Sequence, residues 1–316
     1  MKLKSIAVLT LISGMVFWAC GKKNSGSEGM LTDPKIVSSS VKIAWVIGNN
    51  IILREGKEIK AELGFELTPA DSVATGSNGS MEIMIGETGI IKLSKNTKLS
   101  VQSLLNAEGK SDTNVKINYG KVVTLLKKER KDESFNVLTP TTIAGVRGTS
   151  FLTSVEDLSD AGSNRNVSCD GKSCRITFAV VEGKIALTKP GSTEEIILEK
   201  NSQITIDRER KLSNKMVKPL NKESLKELKN MIVFHKNDVL GFSKLVDELK
   251  LGSEELRNFE SSGSIEELKM KMSKRESSSN LADEVARTAS KVDESKYVKK
   301  DVGKENLKLQ ANKSYE

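Results

Sequence analysis

The sequence predicts an all-β domain over residues 41–207, followed by short C-terminal α-helices and a polar tail. Three observations carry this. From Val41 onward, short apolar runs alternate with polar residues at a period of two and stop at Gly or Asn clusters. No long helical period interrupts them, which argues against parallel βαβ units. Beyond Asp207, apolar residues recur at helical spacing instead.

The chain begins with an address. Met1-Lys2-Leu3-Lys4 is a positive stretch, and Ile6 to Trp18 is an apolar run too short to span a membrane comfortably. It closes at Phe17-Trp18-Ala19-Cys20. A small residue before a cysteine at the end of such a run resembles a bacterial lipobox, with Phe17 where leucine is usual. Residues 1–19 are therefore expected to be a signal peptide and Cys20 the lipidated residue. Plain cleavage near Ala19 is the alternative. A diacylglyceryl thioether plus an amide-linked chain, palmitate or similar, supplies the several acyl groups that stable anchoring needs. Residues 20–40 are small and polar, cannot bury enough apolar area to fold, and read as a flexible tether.

Strands follow in order. Val41, Ile43 and Trp45 alternate up to Gly48; Ile51 to Leu53 stops near Gly56; Ile59, Ala61 and Leu63 alternate up to Gly64. Then come Met81 to Ile85, Ile90 to Leu93, Lys98 to Val101, Val115 to Tyr119, Lys121 to Leu126 and Ser134 to Leu138. Later runs are Thr149 to Val155, Arg175 to Val181, Lys184 to Thr188, Glu195 to Leu198 and Gln203 to Ile206. Gly120-Lys121 and Gly183-Lys184 each read as a turn opening a strand. They are either a weak internal repeat or two ordinary hairpin turns.

Between two of these runs lies Thr139-Pro140-Thr141-Thr142-Ile143-Ala144-Gly145-Val146-Arg147-Gly148-Thr149-Ser150-Phe151. Proline has no N–H for a ladder and favours an extended residue before it. Gly145 and Gly148 permit turns. Arg147 offers a planar fork of donors that suits carbonyls of adjacent strands; ligand binding is its second reading. Val146 and Phe151 are expected in the core. On these grounds Phe151→Ala and Arg147→Ala are expected to destabilise the domain, and Lys128→Ala, in a charged run, hardly to matter.

This stretch resembles the signature of the FecR domain, whose most recognisable piece is a T-P…V-R-G-T-x-F string; Thr139, Pro140, Val146, Arg147, Gly148, Thr149 and Phe151 match it. The resemblance extends over roughly Val41 to Asp207 and includes the turn Asn78-Gly79-Ser80. It implies a twisted, β-solenoid-like or sandwich-like domain. The stretches from Ser103 to Asp112 and from Asp157 to Lys172 depart from the family pattern.

Cys169 and Cys174 enclose an Asp-Gly turn. In an oxidising compartment they can close a small disulfide, stabilising by about 1–3 kcal/mol. Free thiols are one alternative. A metal site is another, but the chain's one histidine, His235, leaves structural zinc short of ligands. Past Asp207, Lys211 to Leu220 reads as a linker. Ser224 to Glu227 fits a capping box for a helix with Leu225, Leu228 and Ile232 on one face. Asn237-Asp238 can cap a second, with Val239, Phe242, Val246 and Leu249, ending at Gly252. Helices also open at Ser253 and Ser264 and are expected to cover the sheet edge. Residues 208–272 thus form a helical region. From Ser273 the chain is charged and reads as frayed helix or disorder.

Of the 316 residues, 37% are hydrophobic and 4% aromatic, with a formal charge of +8. That is lean for an enzyme of this length and fits one packed domain with polar extensions. The basic residues form no aromatic-interleaved stripe, so no nucleic-acid partner is expected. No nucleophile elbow, metal framework or phosphate-cradling loop is present, so catalysis and cofactors are not expected. His235 reads as a satisfied histidine in an apolar helical context.

Two functions remain. The first is a lipid-anchored binding or scaffold module at the inner or outer membrane, facing the periplasm or surface and touching an envelope protein or polysaccharide. The second is regulatory. The resemblance implies it, since FecR proteins relay a receptor signal to a sigma factor. With no cytosolic segment before its leader and no later apolar span of about 20 residues, this chain is expected to need a separate membrane partner for that role.

Overall fold

The computed structural model describes residues 40–105, 111–128, 133–158, 174–207, 211–237 and 241–274. The expected signal peptide, Cys20, Cys169 and nearly all of the tail from Ser273 lie outside the described residues. All described residues belong to one unit, Ile36–Glu316.

Fifteen strands form one open sheet. They are β1 (Val41–Ile47), β2 (Asn50–Arg54), β3 (Lys57–Lys60), β4 (Glu66–Leu67), β5 (Ser72–Thr75), β6 (Ser80–Ile85), β7 (Gly89–Leu93) and β8 (Lys98–Leu105). Then follow β9 (Ser111–Leu126), β10 (Ser134–Leu138), β11 (Ile143–Asp157), β12 (Cys174–Thr188), β13 (Glu195–Glu199), β14 (Ser202–Asp207) and β15 (Lys218–Pro219). The alternation in sequence places most of them well. The short β4 and β5 lacked a readable period, and Leu63 is exposed beyond the end of β3.

Three long strands organise the sheet. The first half of β9 lies between β8 and β10, its second half between β7 and β11. The first half of β11 pairs β10 and β12, its second half β9 and β12. β12 passes from β14 to β13. Each changes partners at a glycine with positive φ: Gly120 at 101°, Gly148 at 55° and Gly183 at 76°. The two Gly-Lys pairs are therefore bends inside continuous strands and not turns that open new ones. A left-handed residue kinks a strand where a β-branched one could not, and lets it leave one layer for the next.

The result is sandwich-like. One layer holds β4, β1, β6, β7, the second halves of β9 and β11, the first half of β12, β14 and β15. The other holds β3, β2, β5, β8, β10, β13 and the remaining halves. Between them lies an apolar core to which Ile43, Ile83 and Phe178 contribute from one layer and Ile52, Val115, Val137 and Ile185 from the other.

The first layer is buried on both faces. β6 and β7 read as nearly unbroken apolar runs for this reason. Its outer face, including Ala44, Met84, Ile90, Val123 and Val181, packs under the helices α1 (Lys222–Met231), α2 (Phe242–Leu251) and α3 (Glu254–Ser261) and a helical stretch over residues 265–274. The helices thus cover a face and not an edge, because that face is apolar. Their starts differ in detail from the sequence reading. Asn221, not Ser224, caps α1, its side chain accepting from Ser224 N. Gly241 precedes α2, and Gly252 ends it. Ser253 caps α3. Within the linker, Lys218–Pro219 adds an edge strand to β14, a place where proline's missing N–H costs nothing.

Candidate functional site

Among the described residues no helix packs on the outer face of the second layer, and the signature stretch from Thr139 to Arg147 runs along it. Thr139 to Thr142 make the tight connection between β10 and β11, where Leu138 faces Ile143. Thr139 N donates to Thr142 O at 2.9 Å, and Thr142 N donates to Thr139 Oγ1 at 3.1 Å. Pro140 sits at the second position, where its fixed φ suits the turn. Past the turn, alternation sends Ala144 and Val146 inward and Arg147 outward; Val146 is 4% exposed and Phe151 0%.

At Gly148 the β11–β12 register shifts between Arg147 and Ser150. A Cβ on Gly148 would lie 2.7 Å from Lys128 Cα, so the bulge and the close approach both demand glycine. The break interrupts the ladder, and Thr149 repairs it. Its buried hydroxyl lies 2.9 Å from both Arg147 O and Lys184 O. The strand-tying role expected of Arg147 therefore belongs to Thr149. Arg147 is exposed because it follows inward-facing Val146 on a straight segment of strand.

Arg147 stands directly across from Lys184, and Lys184 across from Glu199. Neither cation forms an ion pair or side-chain hydrogen bond among the described residues. Like charges directly opposed across a ladder are unfavourable. Next to them, Asn136, Gly145, Ala186 and Ile197 line up across four strands. They help line a groove of about 270 Å³ that also reaches Arg147 and Lys184 and, at its other end, Glu133.

A second polar cluster lies under the helical layer. Glu82 is fully buried, with Lys92 Nζ at 2.9 Å and His235 Nδ1 at 2.9 Å from its Oε1, and it accepts from His235 N at 3.2 Å. The chain after α1 thus clamps onto β6 and β7. The histidine is satisfied, though in a loop and not in a helix. A sequence signal for the clasp existed: Glu82 and Lys92 are the lone charges in two otherwise apolar runs and are cross-strand partners. Their third partner, 153 residues beyond Glu82, was not readable.

Of the cysteines, Cys174 opens β12 and is 1% exposed. Among the described residues, no group of three or more His, Cys, Asp or Glu could hold a metal ion. No described helix is long and apolar enough to cross a membrane.

Residues 71–186 match the family model described as FecR protein. The chain carries a FecR domain. The matched part of this domain runs from the start of β5 into β12 and contains the whole signature stretch, while β1 to β4 and β13 to β15 lie outside it. No curated protein matches the sequence. Two solved structures of a putative anti-sigma factor from Parabacteroides distasonis ATCC 8503, at 1.65 and 2.50 Å resolution, are similar at 15% identity and a TM-score of 0.34. The similarity covers 50% of this chain and 63% and 62% of theirs, less than two thirds of those chains. A TM-score this low does not establish a common fold.

Proposed function

We propose that this protein is a non-catalytic regulatory component of an envelope signalling pathway. In this reading it is held at a membrane by a lipid on Cys20 and acts through a separate transmembrane or sigma-factor-regulating partner. The observation that carries it is the match of residues 71–186 to the FecR family model, a resemblance that implies relay of a signal across the bacterial envelope. The domain favours this role over that of a plain scaffold. What supports a partner surface on the second layer is that, among the described residues, helices occupy the outer face of the first layer only.

Comparing transcripts of cells with and without the protein tests the proposal. A defined set of genes should change expression on its loss and recover when the full chain is restored. Unchanged transcripts together with loss of a purified envelope assembly would point back to a scaffold.

A further inference from the structure

We infer that the groove beside Arg147 and Lys184 binds an extended segment of a partner polypeptide that carries a carboxylate next to an apolar residue. The inference rests on side-chain chemistry and goes beyond the signalling role, on which it does not depend.

Three features point to it. The first is the direct opposition of Arg147 and Lys184, which Glu199, across from Lys184 on β13 but not in an ion pair with it, offsets only in part. A carboxylate between them would offset the repulsion and meet a fork suited to two parallel hydrogen bonds.

The second is Gly145. It lies within a strand, where glycine is unfavourable, and away from the bulge at Gly148. Packing does not ask for it: a Cβ there would meet nothing nearer than 3.9 Å, at Ala186 O and Asn136 Oδ1. A glycine in a strand that marks neither a bulge nor a steric limit is the kind of place where another chain comes close. Facing Ala186 across the ladder, it keeps the groove open.

The third is the wall. Ile197 is 43% exposed and stands across from Ala186, giving an apolar contact beside the cations. The same surface argues against a flat anionic membrane. Glu195 and Glu199, on the same strand as Ile197, are exposed and would face its headgroups, whereas a single segment can place its carboxylate clear of them.

The test uses the full chain and three probes: a short labelled peptide of alternating glutamate and leucine pairs, the same peptide with glutamine for glutamate, and phosphatidylglycerol vesicles. The glutamate peptide should bind, more weakly at high salt, and the glutamine peptide should not. Arg147→Ala and Lys184→Ala should each weaken binding about tenfold or more, the scale of one lost charged hydrogen bond. Gly145→Val should abolish binding while the Tm holds or rises, which separates a filled groove from a damaged fold. No binding of the glutamate peptide, equal binding of the glutamine peptide, unchanged affinity in the variants, or capture by vesicles alone would each overturn the inference.

Discussion

The ring of Trp45 stacks flat on that of His235, with centroids 3.6 Å apart and planes 2° from parallel. Trp45 is the cross-strand partner of Glu82, so the stack and the His235–Glu82 contact fasten the same loop. Asn237 adds a bond to Ala44 O at 2.8 Å. The loop joins α1 to α2 and so ties the helical layer to the sheet.

The clasp is expected to respond unequally to its parts. Glu82→Ala leaves Lys92 buried without its counter-charge and should cost about 3–5 kcal/mol. His235→Ala leaves the Glu82–Lys92 pair in place and should cost less. It should also change the emission of Trp45, the only tryptophan after Cys20. Denaturant unfolding followed by fluorescence measures both. Equal losses in the two variants would show that His235, and not the Glu82–Lys92 pair, holds the cluster.

Asp71 gives the fold a defined acid sensitivity. Burial alone would raise its pKa, but bonds from the Arg54 guanidinium and from Thr68, with the Arg54 charge, outweigh it and hold the carboxyl below its ordinary value. Arg54 Nη2 lies 2.6 Å from Asp71 Oδ2. A depressed folded pKa means stabilisation that is full above the unfolded value, about 3.9, and lost as pH falls through the lower folded one. Asp71→Asn should therefore lower the Tm at neutral pH, with the gap to the parent closing below about pH 4. A gap constant from pH 7 to pH 2 would exclude this linkage.

Within the signature, stability should follow Thr149, Gly148 and Phe151 and not Arg147. Thr149→Val removes the one hydroxyl proton that Arg147 O and Lys184 O share and should cost about 1–3 kcal/mol. Gly148→Ala meets a left-handed backbone, worth at least about 1–2 kcal/mol before its clash with Lys128. Phe151→Ala should cost about 3–5 kcal/mol of a total that is only about 5–15 for a domain. Arg147→Ala should melt like the parent or slightly above it, since it removes the repulsion with Lys184. A marked fall in its Tm would restore a structural role to this arginine.

Lys128 is not a neutral surface position, although its charged surroundings read as one. Its Nζ is 2.5 Å from Oε1 of Glu182, whose side chain is 9% exposed. That oxygen makes no hydrogen bond of good geometry among the described residues, so its contact with Lys128 is an ion pair only. With Lys128 largely exposed, Lys128→Ala should cost up to about 1 kcal/mol, and Glu182→Gln in the same chain should recover part of it. Thermal melts of the single and double variants decide between this and a dispensable lysine.

The cysteines test the envelope setting. Protein recovered from membranes should carry acyl mass on Cys20, and Cys20→Ser should release it or stall its processing. Peptide mapping without reduction should yield Cys169 and Cys174 in one linked peptide. Two alkylatable thiols at those positions, or identical detergent partitioning of the Cys20→Ser form, would remove the corresponding part of the proposal.

Local features were legible in the sequence. Most strand positions, the cap at Ser253 and the inward direction of Val146 and Phe151 follow from period and residue type, which act over a few residues; the turns expected at Gly145 and Gly148 lie instead at Thr139 to Thr142, and β11 already runs from Ile143. Tertiary structure alone decided what depends on distant partners. It joined Val115–Tyr119 to Lys121–Leu126, and Arg175–Val181 to Lys184–Thr188, as single bent strands, because a positive φ at Gly120 or Gly183 serves a bend as well as a turn. It covered the outer face of one layer and left the other bare. It turned Arg147 outward and passed its bridging task to Thr149, since a hydroxyl at a bulge reaches carbonyls that an outward-pointing guanidinium cannot. And it brought His235 to Glu82, a pairing made only once the helices had docked on the sheet.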